Sequence, residues 1–258
     1  MPKGWQLIVH AILDSTNAEA KRLAIAGAGV KAGVVVIQAE VQTSGRGRGV
    51  RTWYSHSGNL HFSVLLQPNV PITQFALAGF VTSVAVVEGI AETIPALRHR
   101  LACKWPNDVL CGMRKLCGIL GEWSGDERWV AVGIGINVAW APEAAIIRYP
   151  ATSLAAEGVI DAPLEIILSA VCHRLAGWLA RWQAEGFAPV RRAWLALAVG
   201  VGRKITVHLH QSDFSGVFAG LDHDGALLVE RAEGSRQRVL AGDVFFHDYG
   251  IATGAGIE

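Results

Sequence analysis

Apolar positions fall in two textures along the chain. Up to about residue 200 they form long blocks. "WQLIVHAIL", Trp5 to Leu13, reads as a first strand. "DSTNAEAKRLAIAGAG" reads as a helix, with Asp14, Ser15 or Thr16 as its cap, Glu19 in its first turn, and Gly27 or Gly29 as its stop. "GVVVIQAEVQ" is a β-branched run that fits a buried strand, and "GNLHFSVLLQ" resumes strand character with partial alternation. A long helix is predicted from about Thr73 to Ile94. "ACKWPNDVLCGMRKLCGILGEWSG" reads as strand, turn, strand, with Asn107-Asp108 and Cys111-Gly112 as the turn signals. "RWVAVGIGINVAW" is another apolar strand, whose Gly133 and Gly135 mark close approach by a ligand or another backbone. Two helices follow, from about Pro163 to Ala184 and from about Pro189 to Val199, with Pro163 near the first turn of the earlier one.

After "AVGVGRK" the blocks shorten. "KITVHLHQSDFSGVFAGLDHDGALLVERAEGSRQRVLAGDVFF" holds short alternating strands split by Ser-Asp, Asp-His-Asp-Gly and Glu-Gly-Ser, the pattern of a small β-barrel or meander. We therefore expect a main domain over residues 1–200 and a small β domain over 201–258. No internal repeat or low-complexity tract interrupts either part.

Composition narrows the class. Hydrophobic residues make up 51% and charged residues 17%, enough to bury a substantial core and unlike a disordered chain. The formal net charge is +1, so bulk electrostatics do not attract polyanions and any anion site must be local. Cys103, Cys111, Cys117 and Cys172 show no C-x-x-C pair and no zinc spacing, and read as reduced, buried thiols of a cytoplasmic protein. The N-terminus is not a convincing signal peptide. The best membrane candidate, Phe75 to Val87, falls short of the ~20 residues needed to span a bilayer.

Candidate chemistry starts at "QTSGRGRGVRTW", Gln42 to Trp53. It lacks the spacing of a P-loop, and no helix follows it as a dinucleotide fingerprint requires. It is also too short and unrepeated for an RNA-binding RGG segment. A solvated loop remains one reading. The other is an ordering lid, in which glycines let the backbone close over a ligand, arginines hold phosphate or carboxylate oxygens, and Trp53 stacks on a flat ring. "KWPNDVLCGMRKLCGILGE" adds Lys104, Asn107, Asp108, Arg114 and Lys115 around a turn. Lys115 stands at the mouth of a buried strand, well placed to meet a ligand.

Together, Ser15-Thr16-Asn17, Gln42, "GRGRGVRTW", "KWPND", "RKLCGIL" and "GIGIN" resemble biotin protein ligases, in that family's order, over residues 14 to 137. Weaker similarity follows in "ATSL" and "GVFAGLDHDGALLVE". The resemblance implies an α+β fold, a mixed sheet like that of class II aminoacyl-tRNA synthetases flanked by helices, plus an SH3-like C-terminal barrel. It implies ATP, Mg²⁺ and biotin as ligands and a biotin carboxyl carrier protein as acceptor. Ser15, Thr16 and Gln42 would bind the biotin ureido ring. Arg46 and Arg48 would hold carboxyl and α-phosphate oxygens, and Lys115 would bridge the biotin carboxylate and the phosphate. Trp53 and Asn107 would contact the adenine side, with Arg51 and Asn137 nearby. Gly118, Leu120, Gly133 and Gly135 would line the pocket. Asp108 would orient a cation or a basic partner.

In one place the sequence departs from the family's loop. Gly49 is the third glycine, and Val50 stands where that pattern has glycine. Valine resists positive φ, so the distal bend of the loop is expected to differ. The resembling region begins within about a dozen residues of Met1, so DNA binding and repression by a preceding helix-turn-helix domain are not expected. Family members include monomers and sheet-to-sheet dimers, so a homodimer is possible. Three alternatives remain: a lipoate or octanoate ligase of the same fold, a non-catalytic biotin or nucleotide binder, and an RNA-interaction protein. His208 and His210 read as surface histidines, Trp105 as packing or ligand contact, and Trp178, Trp182 and Trp194 as packing residues.

Overall fold

The computed structural model describes residues 1–27, 33–123, 129–143, 149–209 and 212–246, so Gly29 and His210 lie outside it. Seven strands form a mixed sheet: β1 (Trp5–Leu13), β2 (Val34–Gln42), β3 (Leu60–Leu66), β4 (Leu101–Lys104), β5 (Asp108–Cys111), β6 (Arg114–Trp123) and β7 (Val130–Ile136). Their order is β1-β2-β3-β7-β6-β5-β4. β1 and β2 run parallel and are joined through helix α1 (Thr16–Ile25), since parallel neighbours need a crossover. Every other neighbouring pair is antiparallel.

The strand-turn-strand reading of residues 102–125 corrects to three strands. The first turn is Trp105–Asn107, and Asp108 already belongs to β5, where it pairs with Lys104. The second is the two-residue Gly112-Met113 turn between Cys111 and Arg114. Both of its residues have positive φ, 55° and 66°, the conformation that follows strand twist in a tight hairpin. Trp105 is buried, and its indole N–H donates to the Gly225 carbonyl, so it packs beneath the turn.

One face of the sheet is covered by α2 (Ala78–Thr93), α3 (Leu164–Glu185) and α4 (Phe187–Leu197). The long helix expected from Thr73 is in two pieces, a 3₁₀ turn (Ile72–Leu77) that buries Phe75 and Leu77, then α2. The stretch is long and apolar enough to cross a membrane, but most of it is buried inside the fold. That burial explains the lack of a polar stripe on α2. Its buried Thr82 and Ser83 hydroxyls donate to the Ala78 and Gly79 carbonyls one turn back. α4 starts at Phe187, ahead of Pro189, which costs nothing in a first turn whose N–H groups have no helical partner. Trp182 and Trp194 are fully buried, and all four cysteines are free and buried.

The C-terminal strands β8 (Lys204–His208), β9 (Asp213–Leu221), β10 (Leu227–Glu230), β11 (Arg236–Val239) and β12 (Asp243–Phe246) form a second, antiparallel sheet. Its order, β11-β10-β9-β8-β12, leaves β11 and β12 at the two edges. Ile205, Val207, Phe218, Leu227 and Val244 belong to the same apolar cluster as α2 and the first sheet. His208 is paired with Asp213 at 2.8 Å.

Candidate active site

Opposite α2, the first sheet carries a row of small residues. Antiparallel partners directly across from each other share a face. One such rung runs His61–Gly135–Gly118–Asp108 across β3, β7, β6 and β5, and the next runs Ser63–Gly133–Leu120. The alternation in "GIGIN" and "LHFSV" thus builds a floor. α1, the loop after β2, the β4–β5 turn and the start of β12 close over it around a cavity of about 380 Å³. All fifteen expected residues line this cavity: Ser15, Thr16, Gln42, Arg46, Arg48, Arg51, Trp53, Asn107, Asp108, Lys115, Gly118, Leu120, Gly133, Gly135 and Asn137.

At the α1 end the lining is neutral and rich in hydrogen bonds. Ser15 is the N-cap residue of α1. The Thr16 N–H and hydroxyl donate to Gln42 Oε1 at 2.9 and 3.1 Å. Asn17 donates through Nδ2 to the Leu120 carbonyl at 3.1 Å and to Glu122 Oε2 at 2.7 Å. The Ser63 hydroxyl lies 2.7 Å from Thr16 Oγ1 and 2.6 Å from Asn17 Oδ1, with one proton to give. Gly133 makes room for this network, because a Cβ there would stand 2.7 Å from Asn17 Oδ1.

The middle of the cavity is cationic. Lys115 Nζ lies 2.7 Å from Asp108 Oδ1 and 5.7 Å from the centre of the Trp53 ring. Its aim depends on a β-bulge. Val109 pairs with Cys117 but Leu110 pairs with Lys115, so Leu116 is an extra residue in β6. Over the three residues from Lys115 to Gly118, strict alternation would put the two on opposite faces, and the bulge returns Lys115 to the face of Gly118. Lys104 is buried 4.0 Å from Asp108 Oδ2 and 4.7 Å from the Tyr149 ring centre, and burial lowers its pKa. The basic partners of Asp108 are therefore two lysines of this chain.

Residues Gly45 to Trp53 form a small hairpin. Trp53 N–H donates to the Gly45 carbonyl at 2.9 Å, Arg46 bridges Thr52, and Gly47 N–H donates to Arg51 O at 2.7 Å. Arg51 N–H closes the tip on Arg48 O at 3.3 Å. Gly49 takes φ 61°, and Val50 is not among the residues with positive φ. Positive φ at the first central position alone is the II′ pattern, which needs glycine there and accepts valine next. Gly49 thus supplies the one positive φ this turn requires, and Val50 points fully into solvent.

The three loop arginines point two ways. Arg46 Nη2 pairs with Glu122 Oε2 at 2.8 Å. Arg51 makes a two-pronged pair with Asp243 of β12. Arg48 Nη1 donates to the Gly242 carbonyl at 3.3 Å and to Asn107 Oδ1 at 3.4 Å, and lies 3.8 Å from Asp243. Trp53 lies flat over Gly118 and Gly135, where added Cβ atoms would come within 2.8 and 2.4 Å of its ring. Its Nε1–H donates to His61 Nδ1 at 3.3 Å, and burial holds the His61 pKa down at about 4, so the acceptor nitrogen stays free. Asn107 and Asn137 serve the walls, donating to Ile119 O at 2.6 Å and Thr152 O at 3.0 Å, while Asn137 Oδ1 is buried without a partner.

Sequence reading missed Ser63, His61, Glu122, Tyr149 and Asp243, and gave no role to Asn17. Alternation in "LHFSV" was the available signal for His61 and Ser63. Asp243 carries none, because it reaches the cavity from the second sheet.

A cavity with a neutral hydrogen-bonding end and a cationic middle suits a small molecule with a polar head and an acid group. The chain belongs to the biotin/lipoate A/B protein ligase family, whose profile matches residues 11–138; that of the biotin protein ligase C-terminal domain matches 200–247. It is 38% identical over 240 residues to the biotin–[acetyl-CoA-carboxylase] ligase of Paracoccus denitrificans, covering 90% of this chain and 97% of that protein. It is 35% identical to the bifunctional ligase/repressor BirA of Bacillus subtilis, covering 93% of this chain and 74% of the relative. Among solved structures, the Aquifex aeolicus biotin protein ligase in complex with biotin and ATP superposes with TM-score 0.77 at 28% identity, covering 93% of this chain and 97% of that one.

Proposed function

We propose that this cavity activates biotin with ATP and passes it to a lysine of a biotin carboxyl carrier protein. In the first step a carboxylate oxygen of biotin attacks the α-phosphorus of ATP, giving biotinyl-5′-AMP and pyrophosphate. In the second the acceptor ε-amine attacks the acyl carbon and AMP leaves. The observation that carries this reading is the position of Lys115, between the neutral end at Thr16 and Gln42 and the arginines of the hairpin.

Ser15, Thr16 and Gln42 would take the ureido head, which needs donors and acceptors together. Leu120 would flank the apolar part of the ligand. Two anions must then meet, and Arg46, Arg48 and Lys115 would offset their repulsion and stabilise the charge gathered on the phosphorus oxygens. One such preorganised contact is worth roughly 3 kcal/mol, about a hundredfold in rate. Asp108, 2.7 Å away, keeps Lys115 aimed. Trp53, Asn107, Asn137 and Arg51 would hold the nucleotide. The mixed anhydride hydrolyses readily, which gives the Gly45–Trp53 hairpin its purpose as a water-excluding lid.

Mg²⁺ would arrive with the ATP phosphates. Asp108 and Asp243 are both committed to side-chain cations, so these residues do not make a resident Mg²⁺ cage. The four buried thiols support a cytoplasmic setting. The exposed Leu7, Val9 and Ile12 on edge strand β1 support a homodimer across that edge.

The deciding experiment incubates the chain with labelled biotin, ATP, Mg²⁺ and a carrier domain, and follows pyrophosphate and labelled carrier. Both should appear. Pyrophosphate with lipoate but not with biotin would transfer the reading to a lipoate ligase, and binding without turnover would make the chain a non-catalytic binder.

A further inference from the structure

Glu122 is out of place by charge. The cavity is read as a meeting place for two anionic reactants, yet this carboxylate stands on its rim at the far end of β6, on the face shared with Gly118 and Leu120. Its two partners account for it. A single oxygen, Oε2, accepts from Asn17 Nδ2 at 2.7 Å and from Arg46 Nη2 at 2.8 Å. Asn17 follows Thr16 at the start of α1 and is buried, with both amide protons donated. Arg46 is the first arginine of the hairpin and is half exposed. The other two loop arginines turn away from Glu122, toward Asp243. The hairpin is thus tied at its base to the head-group end of the cavity and at its tip to the second sheet.

We propose that Glu122 is a positioning residue that joins the head-group end to the lid, by holding Asn17 and Arg46 on one carboxylate oxygen. Arg46 is long and flexible, and a guanidinium at half exposure has many competing rotamers in water. The Glu122 pair removes most of them and leaves the remaining N–H groups of Arg46 to face the reacting oxygens. Asn17, braced on the other side, keeps the turn that presents Thr16 to Gln42. The acid neutralised by Arg46 adds little repulsion to the incoming carboxylate. This role rests on the ligase reading given above.

Glu122→Gln is the test. The amide oxygen still accepts from Asn17, but the charge that holds Arg46 is gone. The KM for biotin should stay within about twofold of wild type, while biotinyl-5′-AMP formed without acceptor should be lost about fivefold faster, the scale of one partly exposed ion pair. Combined with Arg46→Gln, the loss should equal that of Arg46→Gln alone. Losses that multiply, or a biotin KM that rises as much as the leak, would overturn the proposal. A ligand-free readout keeps it separate from the ligase reading: trypsin should cut the unliganded hairpin faster in Glu122→Gln than in wild type, at an unchanged Tm. Equal cutting rates would overturn the coupling. If wild type makes no adenylate from biotin and ATP, the ligase reading fails and the cutting rates still decide the coupling. Should Glu122→Gln not fold, Glu122→Asp, which withdraws the carboxylate from Arg46 by one methylene, must show the faster trypsin cutting of the unliganded hairpin.

Discussion

Adding one methyl group at Gly135 should damage ATP binding and spare biotin binding. The Cβ of Gly135→Ala would stand 2.4 Å from Trp53 Cε2 and 2.5 Å from Cζ2. Carbon contacts settle at about 3.5 Å, so one side must retreat by about 1 Å. The strand cannot, because Gly135 is paired on both sides, with His61 of β3 and Gly118 of β6. The indole must move instead, and its 3.3 Å hydrogen bond to His61 has no slack. Forced overpacking costs ~1–3 kcal/mol, and one decade of affinity is ~1.4 kcal/mol, so the KM for ATP should rise about tenfold. The biotin KM should stay nearly constant, since Thr16 and Gln42 are held by hydrogen bonds to each other and to Ser63 and Ser55. Gly118→Ala, with its Cβ 2.8 Å from the same ring, should act in the same direction; Gly133→Ala, 2.7 Å from Asn17 Oδ1, should raise the biotin KM instead. Steady-state kinetics with pyrophosphate detection on folded variants measures all three. A Gly135→Ala enzyme with wild-type ATP KM refutes the argument. So does a Gly135→Ala/Trp53→Ala enzyme that is tenfold worse than Trp53→Ala, because the glycine is argued to act through the ring.

The remaining predictions are shorter. Lys115→Ala should abolish adenylate formation while circular dichroism and Tm stay near wild type; retained activity would remove Lys115 from the chemistry. Asp243→Asn, which weakens the hold on Arg51 and Arg48, should speed loss of the adenylate about fivefold, on the scale of one partly exposed ion pair, in a hydrolysis assay without acceptor. His61 has its pKa lowered by burial to about 4 from an ordinary 6.5. The unfolded chain therefore binds a proton that the folded chain refuses between those values, and stability should fall as pH drops from about 6.5 toward 4, by up to roughly 3 kcal/mol. Urea unfolding across that window measures it, and His61→Asn should flatten the slope.

Strands and helices of the first 200 residues were legible because their apolar blocks are long and their stops are glycine or proline. The "KWPND" turn was misplaced because Asn-Asp is a turn signal by local propensity, whereas here Asp108 is held in β5 by its register with Lys104 and Gly118. The candidate site was legible as a set of residues but not as a geometry. Gly133 and Gly135 could be flagged as points of close approach. That they seat Asn17 and Trp53 is a fact about neighbouring strands. The aim of Lys115 depends on one extra residue in β6, and a bulge leaves no mark in a single sequence. Asp243 escaped notice because its partners, Arg48 and Arg51, lie almost two hundred positions earlier.

The apolar cluster that runs from α2 into the second sheet bears on how the chain melts. Phe218, Leu227 and Val244 are packed against the same body as Phe80 and Trp194, and Trp105 is fastened to Gly225. Two sheets that share one interior have no separate melting points. Calorimetry should record a single transition with matching calorimetric and van't Hoff enthalpies. A cut near residue 200 should then yield two fragments with bare apolar faces, soluble only when they find each other again.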